Sequence, residues 1–155
     1  MVYLDPMSRI ISVARVLLGL GFVVFATNYF IPFLPAQDPP PAEALPFIGA
    51  FVTSGFLTFV KVIELGAGLL LLSNRFVPLA LALLAPIIVG ITMFHALLAP
   101  AGLPIAVVFV ALELVLAWGY RTAFAPMLKA KVAPASARAL DQLRVPLEHD
   151  VAVVR

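Results

Sequence analysis

The chain has 155 residues, 63% hydrophobic and 12% charged, with a formal net charge of +2. Soluble domains carry about 25% charge, and a mean hydropathy of +1.12 leaves too little polar surface for a water-soluble body. Cysteine is absent, which excludes disulfides, thiol chemistry and thiolate metal sites, and no basic cluster with interleaved aromatics is present to hold a nucleic acid.

Long apolar runs without charge predict membrane spans. The first runs from about Ile10 to Leu34, interrupted only by Arg15 and Asn28. A cleaved signal peptide would have an apolar region of roughly 7–15 residues before a small-residue site. This run is longer and ends in Pro32 and Pro35, so a retained span is expected. Residues 35–46 are proline-rich and cannot continue a helix.

The second span is predicted over about 47–72. At about 1.5 Å per residue it exceeds a ~30 Å hydrocarbon layer. It must tilt, or its first part lies at the interface and bends near Ser54-Gly55. Ser73-Asn74-Arg75 reads as a tight turn into a third span over about 76–99. Pro86 inside that span predicts a kink and a freed carbonyl, which a neighbouring helix must cover. A second tight turn, Pro100 to Pro104, leads to a fourth span over about 105–120, with Trp118 and Tyr120 where an interfacial aromatic belt is expected. Residues 125–155 carry mixed charge and read as a solvated tail, with one short surface helix expected over Ala135 to Leu143. The expected fold is an all-α membrane protein with four transmembrane helices in an antiparallel bundle.

Orientation follows from the basic residues. Arg9 and Arg15, then Arg75, then Arg121 with the tail lysines and arginines fall on one side of a four-span arrangement. The opposite connections hold Asp38 and Glu43, or no charge. The positive-inside rule places both termini and the middle turn in the cytoplasm, in a bacterial-type inner membrane.

A charge at mid-membrane costs about 2.5–3.5 kcal/mol on insertion scales, so each such residue needs a partner. Lys61 and Glu64 are one turn apart on the second span and face the same way. Counting inward from each cytoplasmic end at about 1.5 Å per residue brings Arg15, Glu64 and Glu113 to a similar depth on three helices. With Lys61 they form an expected cluster of two positive and two negative groups, held together where Gly66 and Gly68 let helices approach. The cluster reads either as structural glue between helices or as a proton or ligand site; Arg15 alone can also snorkel to the surface. Asn28 and His95 make an outer polar layer, and His95 reads more readily as a packing residue than as a ligand. His95 and His149 are too few for a His-rich metal site, and no metal is expected.

The order of these features resembles the DoxX-like family of small membrane proteins. The resemblance covers about residues 9–124. It rests on Arg15-Val-Leu-Leu-Gly-Leu-Gly, Glu64-Leu-Gly-Ala-Gly-Leu-Leu-Leu-Leu, Arg75-Phe-Val-Pro-Leu-Ala-Leu-Ala-Leu-Leu-Ala-Pro86 and Phe94-His95. It implies a four-helix membrane bundle. Named members include small subunits linked to thiosulfate:quinone oxidoreductase and others tied to redox homeostasis. Related sequences carry Asn before the Phe-His segment, where this chain has Gly90. No catalytic motif, haem-type histidine pair or nucleotide motif is present, so no catalytic residue is assigned. The leading expectation is an accessory subunit, embedded in membrane lipids, that packs against other membrane proteins or its own copies, near a quinone-linked redox complex. The alternative is a quinone or small-molecule site, or proton-coupled transport, built on Arg15, Lys61, Glu64 and Glu113.

Overall fold

The computed structural model describes residues 5–35, 38–132 and 134, and all regular structure among them is helical. Proline opens most of the helices. It occupies one of the first two positions of α1 (Pro6–Phe30), α2 (Leu45–Thr53), α4 (Val77–Leu97) and α5 (Leu103–Gly119), where the missing N–H removes no intrahelical bond. α3 (Phe56–Leu72) instead starts behind Gly55, and a four-residue helix, α6 (Arg121–Phe124), follows α5.

Three helical stretches are long and apolar enough to cross a membrane: Pro6–Phe30, Val77–Leu97 and Pro100–Gly119. A fourth is reached only if Ala42–Thr53 and Phe56–Leu72 together count as one span, although they meet at 78°. This is a multi-pass membrane protein. The predicted second span, about 47–72, is therefore two helices rather than one. The break sits at Gly55, whose φ of +75° is left-handed and costs a glycine little because it has no Cβ. Of the two sequence-based alternatives, bending near Ser54-Gly55 is the one adopted.

α3 ends in a Schellman turn. Arg75 N–H bonds to the Leu70 carbonyl and Asn74 N–H to the Leu71 carbonyl, each at 3.1 Å. Asn74 takes the left-handed position with φ 56°, a place asparagine fills more readily than most non-glycine residues. α4 then runs without a break through Pro86. Ala82, whose carbonyl Pro86 leaves without its N–H, is exposed rather than covered by a neighbour, against the expectation from sequence.

α1 packs against α3 and α5, and α4 also packs against α3 and α5. The α1–α3 seam is a glycine contact: a Cβ on Gly19 would lie 3.1 Å from the Gly68 carbonyl, and one on Gly68 would lie 3.1 Å from the Gly19 carbonyl. Such mutual small-residue contact lets two backbones approach closely where lipid supplies no hydrophobic driving force. On the α1–α5 seam, Gly21 receives the Phe109 ring and Gly119 receives Ile11. Phe22 and Phe109 stack obliquely at 5.0 Å between centroids. Leu18, Leu71, Leu81, Leu84 and Leu116 fill the remaining core, while Leu17, Phe59, Val62, Leu83, Val89, Val108 and Leu114 stay exposed as a lipid-facing surface.

The helices define two ends. One carries the Ser73–Phe76 turn, Arg9, Arg75 and Arg121, and is called the arginine end; the other carries His95 and the Pro100–Gly102 turn, and is called the histidine end. The chain divides into two units, Met1–Ala123 and Phe124–Arg155. In the second, a single turn of 3-10 helix covers Ala125–Leu128, and the expected helix over Ala135–Leu143 lies outside the described residues.

Candidate functional site

Glu64 occupies the middle of α3 and is 2% exposed. Lys61, one turn earlier, donates from Nζ to Glu64 Oε2 at 2.7 Å. This is the one ion pair among the described residues. Spacing of i, i+3 on one helix brings the two heads together without any help from a second helix.

Arg15 does something else. Its Nη1 donates to the Leu71 carbonyl and, at 3.3 Å, to the Leu72 carbonyl at the end of α3. The last four carbonyls of a helix have no intrahelical partner, and their dipoles favour a cation. Arg15 therefore acts as a cap supplied by a neighbouring helix, and it forms no ion pair with Glu64 or Glu113 among the described residues.

Glu113 on α5 is 8% exposed, and its Oε2 has no hydrogen-bond partner. The expected common depth of the two carboxylates is not found. Gly68 packs against Gly19 and Val23 of α1, and Phe109 packs against Gly21 and Phe22, so Gly68 and Phe109 lie at one level. Glu64 lies one turn from that level toward the histidine end, and Glu113 one turn toward the arginine end. At about 1.5 Å per residue they are roughly 10 Å apart along the bundle. Counting from helix ends assumed that the ends share a plane. In fact the Leu71 and Leu72 carbonyls sit at Arg15 while Gly119 packs on Ile11, four residues earlier on α1, so α3 stops about one turn short of α5. The four predicted residues form a Lys61–Glu64 pair, an Arg15 cap and a separate Glu113.

The outer layer also divides. Asn28 Oδ1 accepts the N–H groups of Phe33 and Leu34 at 2.9 and 2.8 Å, closing the end of α1. His95 donates from Nδ1 to the Ala99 carbonyl at 2.9 Å, closing the end of α4. Its ring lies on Gly102, where a Cβ would come within 2.1 Å of it. Each serves its own helix end, and no hydrogen bond joins them among the described residues. Gly90 and Gly66 face open space.

Several polar contacts escaped the sequence reading. Tyr29 and Thr58 hydroxyls meet at 2.7 Å and tie α1 to α3 at the histidine end. Arg121 donates to the Trp118 carbonyl at 3.0 Å and lies over the Trp118 ring at 5.0 Å, a cation–π contact at the arginine end. An aromatic row, Phe47–Phe51–Phe56–Phe59, crosses the α2–α3 elbow. An open groove of about 700 Å³ there is lined by Ala50, Phe51, Ser54, Gly55, Phe56 and Phe59; Glu64 and Glu113 are not part of it. No group of metal-ligating side chains occurs among the described residues.

Comparison of the chain with family models, with curated proteins and with solved structures gives no match.

Proposed function

We propose that this chain is a DoxX-like accessory subunit of a bacterial-type inner membrane. Its four spans form an antiparallel bundle with both termini cytoplasmic, and it packs against other membrane proteins, or further copies of itself, beside a quinone-linked redox complex. One observation carries this reading: Lys61, Glu64 and Arg15 are engaged within the chain, by the 2.7 Å ion pair and by the α3 carbonyls. Lys61 and Glu64 satisfy each other within α3 and Arg15 ties α1 to α3, whereas a ligand site keeps polar groups turned toward a cavity. The orientation is supported by Arg9, Arg75 and Arg121, all exposed at one end, with Asp38 and Glu43 in the connection at the other. Purification from native membranes in mild detergent tests the proposal. Co-migration with larger membrane subunits is expected, and a chain that runs alone as a small monomer overturns it.

Glu113 supports a second reading, a quinone or proton-coupled small-molecule site, because its Oε2 is buried without a partner. An intramembrane carboxyl without a partner is a candidate proton or ligand group. Reconstituted protein carrying Glu113→Gln would lose quinone turnover or proton-linked uptake under this reading; unchanged rates reject it.

A further inference from the structure

α2 is a hydrophobic helix that the rest of the chain covers only in part. No residue of Leu45–Thr53 is buried by the rest of the chain, and no charge occurs between Glu43 and Lys61. A helix apolar on all sides and left largely exposed by its own chain belongs in hydrocarbon or at its boundary. Its direction is fixed by α3, from which it turns by 78°. α3 lies along α1, from Tyr29–Thr58 at one end to Arg15–Leu71 at the other, so it shares the direction of a helix long and apolar enough to cross a membrane. α2 thus runs close to the membrane plane.

Its level is fixed twice. Thr58, in the first turn of α3, meets Tyr29 near the end of α1. At the other end of α2, Phe47 stacks on Phe94 at 5.6 Å, one turn before α4 ends. α2 therefore lies at the depth where α1 and α4 leave the apolar layer.

The elbow groove has apolar walls. Ser54 Oγ donates to the Phe51 carbonyl at 3.2 Å and receives the Phe56 N–H at 3.3 Å, so its polar atoms are turned to the local backbone. The groove is open along its length and continues into the lipid-facing row of α3, Phe59, Val62 and Leu69. Glu43, just before α2, disfavours an anionic headgroup.

We infer that α2 is an in-plane helix of the membrane interface at the histidine end, and that the groove between α2 and α3 seats one acyl chain of a zwitterionic phospholipid. This rests on the membrane reading of the helices and is independent of any partner subunit.

Trp118 is the sole tryptophan and lies at the opposite end, so one fluorophore can be placed at a time. The full chain carrying Trp118→Phe and Phe51→Trp, in phosphatidylcholine vesicles, should be quenched most by bromines high on the acyl chain. Strongest quenching by bromines at the chain ends would show a crossing helix and overturn the in-plane placement. The native Trp118 is the control: quenched Trp118 with unquenched Trp at position 51 overturns only this inference, while two unquenched probes overturn the membrane reading as well. For the groove, native mass spectrometry of phosphatidylcholine-loaded protein should show one retained phospholipid. Ala50→Trp, with helicity verified by circular dichroism, should reduce its occupancy about tenfold, and Ala50→Leu should reduce it less. Unchanged retention in a folded Ala50→Trp protein overturns the inference, as does retention of an isoprenoid in place of phospholipid or cross-linking of Ala50→Cys copies to one another.

Discussion

Arg15 of α1 and Leu71 of α3 are joined by a charge-assisted hydrogen bond from the guanidinium Nη1 to a backbone carbonyl. The same carbonyl already accepts Asn74 N–H, so both its lone pairs are used. The guanidinium also shares the level of the last α3 turn, where the helix dipole presents partial negative charge.

Replacing Arg15 by Leu therefore removes two acceptor contacts and uncaps α3. Hydrogen bonds to charged groups contribute about 1.5–3 kcal/mol, and the half-buried setting points to the lower part of that range. Reversible unfolding in detergent, followed by circular dichroism, should show a loss of about 1–2 kcal/mol, with Arg15→Lys in between because a single ammonium keeps the charge but not the fork. Wild-type stability in Arg15→Leu would remove the cap from the account.

Glu64 and Glu113 should respond in opposite directions to the same replacement. Glu64→Leu leaves Lys61 without its carboxylate, and breaking a buried pair costs about 3–5 kcal/mol when fully enclosed; Lys61 keeps 19% side-chain exposure, which lowers the loss. Lys61→Met combined with Glu64→Leu should recover most of it, a coupling a double-mutant cycle reads directly. Glu113→Leu removes an oxygen that has no partner and should stabilise by about 1 kcal/mol or more. Equal losses for Glu64→Leu and Glu113→Leu would contradict the separation of the two carboxylates.

The glycines of α3 offer a paired test. A Cβ on Gly68 would lie 2.9 Å from Val23 Cγ2 and 3.1 Å from the Gly19 carbonyl, whereas one on Gly66 meets nothing within 4 Å. Gly68→Ala should force α1 and α3 apart and cost about 1–3 kcal/mol. Gly66→Ala should be neutral or stabilising by up to about 1 kcal/mol, since alanine favours the helix. Thermal melts of the two variants decide the matter, and a harmless Gly68→Ala would mean that the seam is looser than described.

At the histidine end, Gly102 is the floor beneath His95. Gly102→Ala must move the imidazole and break its bond to Ala99, a loss of about 1–3 kcal/mol by overpacking. In a His95→Ala background the same change should cost almost nothing. Additive losses in the double variant, measured in the same unfolding assay, would place His95 elsewhere.

The three apolar helices Pro6–Phe30, Val77–Leu97 and Pro100–Gly119 and the helix ends were legible because proline, charge and asparagine punctuate them locally: Pro32 after α1, Asn74 after α3, Pro104 at the start of α5. Gly55 marked the elbow, and its left-handed φ selects the bend over a straight tilted helix. The relative levels of Glu64 and Glu113 had no local signal. They depend on how far α3 and α5 slide along α1, which Gly19, Gly21 and Gly68 set through contacts between distant parts of the chain. Arg15 misled for a related reason. Pairing by residue type sends a guanidinium to a carboxylate, while its acceptors here are main-chain carbonyls that every residue carries.

The acceptors of Arg15 lie 56 and 57 residues later in the chain. At a synthesis rate of roughly 5–20 residues per second, α1 waits on the order of seconds before the end of α3 exists. During that interval the two carbonyls that Arg15 caps do not yet exist. The cap on α3 is thus a contact that closes late in synthesis, only once a segment two helices downstream has been made.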